Sequence, residues 1–493
     1  LHSSFASPVL LLIGFVLVVN FATMPAEEYP GDAVAVRLEV ISLINFGQWN
    51  VPPDIVALAG ARGQYFYQNA KGAWYPKYGI LNTLIYMPPL WFQKIVSGKL
   101  TFESDNTCCL NLFNLVLSGI TAAYLALLSR RYTTSNATMS IFVIASFYST
   151  FWWNYLRAQT FETYVTLFML AFFYHLVSAW DCEQPTRRNR QLLISATCLG
   201  SLCLCKTVYL ILLPVVFFAL SKQARFRSEP VTTERNSFVS QFLFFWLPLS
   251  IFVSILLGTN WYKFGSPFNT GYLQWEREAQ PFTANLVPAL AGFIASKQRS
   301  IFLHFPVLLF ALIGWPIFFK KYKSEAILIS GLGMVLLLVN SAFTNWRGED
   351  CYGPRYLLPV LPLLSLPFLQ AVGWMTSIRT KIARGFIYAA VAGSLTYSFL
   401  LQVSVNSLPF LFWYDLRNVP EDQTSSPTAD YLRSHHFGII NIDYLRYAAG
   451  RSSRFNRDFV DHLEPAEFLR LEGLKAETRF NYYWLPKSVE TMQ

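Results

Sequence analysis

The chain has 493 residues, of which 53% are hydrophobic, 17% aromatic and only 14% charged, against about 25% charged in a soluble protein. That excludes an ordinary soluble domain and points to a chain whose main solvent is lipid. The net charge of +10 lies in short clusters between apolar runs, where Lys and Arg set topology, so the expected partners include membrane lipids and no nucleic acid.

A spanning helix needs about 20 mostly apolar residues, because every peptide group in the hydrocarbon layer must bond internally. In chain order the predicted spans are Val9 to Thr23, Cys108 to Ser129, Ala137 to Trp153, Phe161 to Trp180, Leu192 to Cys205, Val208 to Leu220, Phe238 to Leu257, Ile301 to Phe319, Ala326 to Phe343, Leu357 to Met375 and Phe386 to Val405. The first runs into Met24-Pro25-Ala26-Glu27-Glu28, which has no small-x-small cleavage site, so it reads as a span rather than a signal peptide. Leu192 to Leu220 is long for one helix and short for two. Basic clusters flank it on both sides, which favours a hairpin turning near Lys206 at the outer surface.

The fold expected is an all-α polytopic membrane protein with about 11 transmembrane helices. Arg130-Arg131, Arg187-Arg188-Arg190, Lys222/Arg225/Arg227/Arg235, Lys320-Lys321-Lys323 and Arg379/Lys381/Arg384 fall in alternate connections, which are therefore cytoplasmic, with the N-terminus inside and the C-terminus outside. Residues 1–405 form the membrane domain, and residues 24–107 its large first outer loop. There Asp32 to Phe46 has apolar positions at helical spacing, and Tyr78 to Ile95 is apolar but broken by Pro88-Pro89; both read as interfacial helices. Tyr65, Tyr67, Trp74, Tyr75, Tyr78, Tyr86 and Trp91 suit the headgroup layer. Residues 406–493 turn polar and read as a small outer segment; His435-His436 within it reads as a solvated pair. Cys108, Cys109, Cys198, Cys203 and Cys205 lie in apolar runs and read as small buried hydrophobes rather than a disulfide or metal set.

An ionisable group near lipid is costly unless it has a partner or a task. Asp32, Arg37, Lys77, Arg157, Glu162, Lys206 and Arg355 come from five stretches that the topology places on one side of the membrane. Taken singly, each reads as a charge snorkelling to the headgroups. Their convergence on one face favours a site.

These residues also resemble a family. Pro30-Gly31-Asp32-Ala33-Val34-Ala35-Val36-Arg37, then Phe46-Gly47-Gln48-Trp49 and Gly72-Ala73-Trp74-Tyr75-Pro76-Lys77-Tyr78-Gly79-Ile80, look like the first outer loop of bacterial GT-C glycosyltransferases. Tyr155-Leu156-Arg157 with Phe161-Glu162, Asn260 to Pro267 with Gly271-Tyr272, and Trp346 with Gly353-Pro354-Arg355-Tyr356-Leu357-Leu358-Pro359 follow in the order such a protein shows. The resemblance covers roughly Leu10 to Val405. It implies a polyprenyl- or dolichyl-phosphate-linked sugar donor, inversion at the anomeric carbon, an Asp after the first span acting as base, and a bacterial inner (plasma) membrane. Relatives include protein O-mannosyltransferases and the enzymes that place aminoarabinose on lipid A. The chain departs at Ala33, where many members carry Glu, which leaves open a narrowed or lost activity.

Asp32 is the candidate base, with the N-cap of the following helix as its ordinary alternative. Lys77 and Arg355 are the candidate cations for the donor phosphate, joined by Lys206 if the hairpin reading holds. Arg157 either adds to that phosphate site or pairs with Glu162; Glu162 otherwise orients the acceptor, an unspecified glycan, lipid or protein. No cofactor is expected, with a divalent metal left open. Two other readings remain: a transporter or flippase of lipid-linked sugars, for which no internal repeat is visible, and a non-catalytic polyprenyl-phosphate-binding relative.

Overall fold

The structure, a computed structural model, describes residues 3–25, 32–58, 65–102, 107–226, 239–272, 282–296, 299–346 and 352–406. The C-terminal segment expected from 406 onward lies outside the described residues but for Asn406. In chain order the helices are α1 (Ser3–Ala22), α2 (Asp32–Phe46), α3 (Pro53–Leu58), α4 (Ile80–Ser97), α5 (Thr107–Tyr132), α6 (Asn136–Tyr148), α7 (Trp152–Leu156), α8 (Phe161–Asp181), α9 (Pro185–Cys205) and α10 (Leu213–Phe226). They continue with α11 (Leu247–Phe264), α12 (Leu286–Ala295), α13 (Ile301–His304), α14 (Pro306–Lys321), α15 (Lys323–Ala342), α16 (Leu361–Leu364), α17 (Phe368–Ser377) and α18 (Lys381–Asn406). Between α3 and α4 a small antiparallel hairpin pairs β1 (Phe66–Gln68) with β2 (Trp74–Pro76), Tyr67 opposite Tyr75.

Among the described residues, five helical stretches are long and apolar enough to cross a membrane by length and composition: Cys108–Tyr132, Phe161–Asp181, Val239–Phe264, Lys323–Ala342 and Lys381–Val403. The other predicted spans also fall on helical segments, shorter or interrupted. Ala137 to Trp153, for example, divides into α6 and α7. Local chemistry sets several boundaries. Ser135 caps α6 by accepting from the Thr138 amide, Pro185 opens α9, and Ser300 caps α13, each satisfying or avoiding an orphan amide of the first turn.

The ends read as cytoplasmic meet one another. Arg131 in the last turn of α5 pairs with Asp181 at the end of α8 and lies 3.8 Å from Glu325 in the first turn of α15. From that end α8 and α9 pack against each other, α5 against α1 and α8, and α14 against α17, around a core that includes Phe142, Phe147, Phe172 and Phe173.

Two expectations for the outer loop change. α4 runs unbroken through Pro88 and Pro89; packing against α2, α5 and α9 holds the turn whose amide bonds the prolines remove. α2 has the bounds read from the sequence, and its residues 33–42 are all buried against the rest of the protein. Of the aromatics assigned to the headgroups, Trp91 is exposed, whereas Tyr75, Tyr78 and Tyr86 are buried, because α4 and the hairpin fold over α2.

The Leu192 to Leu220 segment bends where expected. α9 ends at Cys205, Lys206 is extended at φ −145° and ψ 121°, and a 3-10 turn, Thr207–Leu212, leads into α10. Val208 lies at the same cavity as Asn340 of α15, while Val215 faces Gly331 nine residues lower in that helix. The chain therefore runs back from the site after Lys206.

Asn114 in α5 is fully buried and donates to the carbonyls of Leu156 and Ala158, at 2.6 and 2.7 Å. Those carbonyls belong to the last residue of α7 and to the turn that leads into α8, and both residues are buried. Asn114→Leu keeps the branching and the number of heavy atoms but removes the donor, and should lower stability by about 1–3 kcal/mol. Thermal unfolding in detergent checks this; an unchanged midpoint would show the turn to be held by other contacts.

Candidate active site

Three turns bring the charged residues together. The first is Lys77-Tyr78-Gly79, between β2 and α4. The Gly79 amide donates to the Cys205 carbonyl at 3.3 Å, and a Cβ built on Gly79 would stand 1.9 Å from the Leu204 carbonyl oxygen. Only glycine lets this backbone lie so close to the end of α9. Asn82 fastens the contact, donating to the same Cys205 carbonyl at 2.9 Å while accepting from Tyr164 at 2.7 Å.

The second turn is Lys206, which follows directly on that docked helix end. The third is Gly353-Pro354, where Gly353 takes φ +66°. Its carbonyl accepts from Arg299 at 2.9 Å and from the Arg355 amide at 3.0 Å, so Arg355 leaves a fixed loop.

Asp32 opens α2, where the helix N-terminus favours a negative charge. Its carboxylate accepts from the Tyr78 hydroxyl at 2.5 Å and lies 3.4 Å from Arg355 Nη1. Glu162, in the first turn of α8, lies 3.5 Å from Lys206 Nζ and 4.0 Å from the same Arg355 nitrogen. Arg355 thus stands between two carboxylates, its guanidinium 5.1 Å from the ring centre of Tyr356. Lys77 is flanked by aromatic faces, 5.0 Å from the Tyr272 ring centre and 5.3 Å from that of Tyr65.

Burial alone would raise the Asp32 pKa, but Arg355, then Lys206, the Tyr78 hydrogen bond and Lys77 outweigh it and hold the carboxyl below the usual range. Burial, reinforced by Asp32, pushes the Tyr78 hydroxyl well above its ordinary value, so it stays a donor. These groups line a cavity of about 300 Å³ that also has an apolar wall of Val208, Val339 and Phe343. No cluster of three or more metal-ligating side chains occurs among the described residues.

Residues 88–246 match the family described as dolichyl-phosphate-mannose-protein mannosyltransferase. The Archaeoglobus fulgidus oligosaccharyltransferase solved in complex with Zn and sulfate is similar over 87% of this chain and 58% of that one, at 13% identity and a TM-score of 0.51. ArnT from Cupriavidus metallidurans, solved bound to undecaprenyl phosphate, is similar over 88% of this chain and 73% of that one, at 11% identity and a TM-score of 0.47. AglB from Archaeoglobus fulgidus, in complex with an inhibitory peptide and a dolichol-phosphate, gives 86% and 59%, 11% and 0.49. Among curated protein sequences none matches. The chain shares the fold of that Archaeoglobus fulgidus oligosaccharyltransferase.

On this frame five of the six sequence-read site residues gather: Asp32, Lys77, Lys206 and Arg355 line the main cavity, and Glu162 with Lys206 and Arg355 lines a smaller one beside it. Arg157 is buried away from that lining, donating to the Thr23 carbonyl at 3.1 Å near the end of α1. Arg37 likewise turns elsewhere, to the Phe102 carbonyl at 3.3 Å. The sequence reading overlooked the tyrosines. Tyr78 and Tyr356 each directly follow a site cation, and that adjacency was the available signal.

The depressed Asp32 pKa fixes the sign of a pH effect. Its pairings stabilise the fold fully above the unfolded carboxyl value, and this stability is lost as pH falls through the lower folded value. Tyr78→Phe removes one stabilising contact, so the acid limb of the thermal midpoint should move to higher pH. Arg355→Gln should move it further, since Arg355 is the largest of the charges acting on Asp32. A limb unmoved in both variants would show that Asp32 is held by other groups.

Proposed function

We propose that this protein is an inverting glycosyltransferase that moves a sugar from a polyprenyl or dolichyl phosphate to a hydroxyl acceptor at the outer face of the membrane. One observation carries the reading: Lys77, Lys206 and Arg355 converge with Asp32 on one cavity. The match of residues 88–246 to a dolichyl-phosphate-mannose-dependent family supports the donor class.

The chemistry follows from charge. The donor is a phosphate diester with a single negative charge, and that charge grows on the leaving oxygen as the bond to the anomeric carbon breaks. Arg355, Lys206 and Lys77 stabilise the departing polyprenyl phosphate, an effect that is larger where little water competes. The acceptor oxygen forms the new bond from the opposite face, and its proton passes to Asp32. Glu162, held by Lys206 and Arg355, orients the acceptor or keeps those cations in place.

A carboxylate depressed by cations is a weak base at rest. The donor phosphate shares the same cations, which eases the depression and raises the basicity of Asp32 when donor is bound. Lysine and arginine supply the positive charge, so the transfer runs without a divalent metal on this reading, and activity should persist in EDTA.

Asp32→Asn keeps the side-chain size and removes the base. Transfer from a radiolabelled polyprenyl-phosphate sugar should fall by about a hundredfold or more. Binding of undecaprenyl phosphate should persist or tighten, since a negative charge leaves the phosphate site. Wild-type transfer by this variant would remove Asp32 as base and turn attention to Glu162.

The orientation proposed with this function is eleven crossings of a bacterial inner membrane, with the N-terminus cytoplasmic. A topology reporter fused after Gln493 should read outside, and one inserted near Arg188 or Lys321 inside. A cytoplasmic reading after Gln493 would overturn the odd count, with residues 192–220 crossing once as its first suspect.

A further inference from the structure

Lys263 lies in the Asn260 to Pro267 stretch, to which the sequence reading gave no task, and Glu39 was not singled out at all. Glu39 follows Asp32 by seven residues, two turns along the same face of α2. Glu39 is 0% exposed and Lys263 2%. Lys263 Nζ lies 2.5 Å from Glu39 Oε1, and the Thr83 hydroxyl of α4 donates to Oε2. Tyr75 of β2 and Tyr262 meet edge to face at 6.0 Å, so the hairpin leading to Lys77 joins the same contact region.

Beyond Lys263 the chain turns back toward the site. Gly265, at φ +77°, closes α11 by bonding to the Trp261 carbonyl. Asn269 then braces the loop, donating to the Tyr67 hydroxyl at 3.1 Å and accepting from the Gly271 amide at 3.0 Å. This presents Thr270 and Tyr272 to the cavity, with the Tyr272 ring facing Lys77.

We propose that Glu39 and Lys263 are positioning residues, whose buried ion pair sets the placement of α2, and so of Asp32, against the Gly265–Tyr272 loop that walls the Lys77 side of the cavity. The inference rests on the glycosyltransferase reading for its consequence and on the geometry alone for its existence. Stability is a poor explanation for such a pair, since apolar residues of similar volume hold buried helices as well or better. A charge pair adds direction instead: each partner is confined to a narrow range of distance and angle.

The test separates those roles. Glu39→Leu/Lys263→Met leaves no lone buried charge and should fold with a thermal midpoint near that of the wild type. In a background with the native cysteines replaced, spin labels at Phe46→Cys, at the end of α2, and Phe268→Cys, in the loop, should give one narrow distance with the pair present. The double substitution should broaden or shift that distance. It should also weaken undecaprenyl phosphate binding and slow transfer by about tenfold or more, as misplacement of reacting groups does.

Glu39→Asp keeps both charges but withdraws the carboxylate by one methylene. It should show the same changes more weakly, and it serves if the double variant fails to fold. Lys263→Arg, which can keep the contact, should retain the wild-type distance. A wild-type distance distribution in the folded double variant, or in Glu39→Asp where the double variant does not fold, overturns the proposal. Absence of undecaprenyl phosphate binding by the unsubstituted protein would instead strike the functional reading and leave the label distances to decide this one.

Discussion

A carboxylate and a guanidinium placed where little water reaches must each find opposite charge or become neutral, and the 3.4 Å approach of Asp32 to Arg355 answers both needs. The rest of the site is built around that contact. Glu162 lies on the other side of the same guanidinium nitrogen and also engages Lys206, so neither carboxylate has a cation to itself. Lys77 joins Arg355, Lys206 and Asp32 at the same cavity. On the proposed function these cations face the donor phosphate, and the apolar wall beside them suits its hydrocarbon chain.

Holding such groups in place falls to backbone more than to side-chain packing. Gly79 lets the Lys77-Tyr78 turn lie on the last carbonyls of α9, and the next residue of that chain is Lys206. Two cations distant in sequence therefore become neighbours through one close approach. Gly353 works differently: its positive φ and its carbonyl, gripped by Arg299, aim Arg355 from the far side. A larger residue at Gly353 would be strained in that conformation and would meet the Phe151 ring.

Much of this was legible because charges are rare in apolar sequence. Asp32, Lys77, Glu162, Lys206 and Arg355 stood out at helix ends, and the bounds of α2 followed from its periodicity. Arg157 stood out equally, yet its described bond closes the end of α1 instead, because burial marks a need for partners and does not say which. The tyrosines misled in the other direction. Aromatic rings near a membrane surface suggest headgroups, and apart from its place beside Lys77 nothing local tells Tyr78, folded inward onto Asp32, from Trp91, exposed on α4. Pro88-Pro89 read as a break because a proline pair removes amide donors, but neighbouring helices keep that turn helical. Glu39 was readable in principle by its spacing from Asp32, whereas its partner Lys263 is 224 positions away and only the fold brings it near.

On the proposed chemistry, sharing Arg355 has a kinetic meaning. While the cavity is empty, its cations keep Asp32 ionised but weakly basic, so a hydroxyl entering alone is poorly activated. A phosphate diester that draws on Arg355, Lys206 and Lys77 also relieves their hold on Asp32, and the base strengthens only when there is a leaving group to displace. The same shared cations that would stabilise departure of the carrier phosphate thus tie activation of the acceptor to the presence of donor. No hinge or lid is needed for that order, because it follows from the position of one guanidinium between two carboxylates.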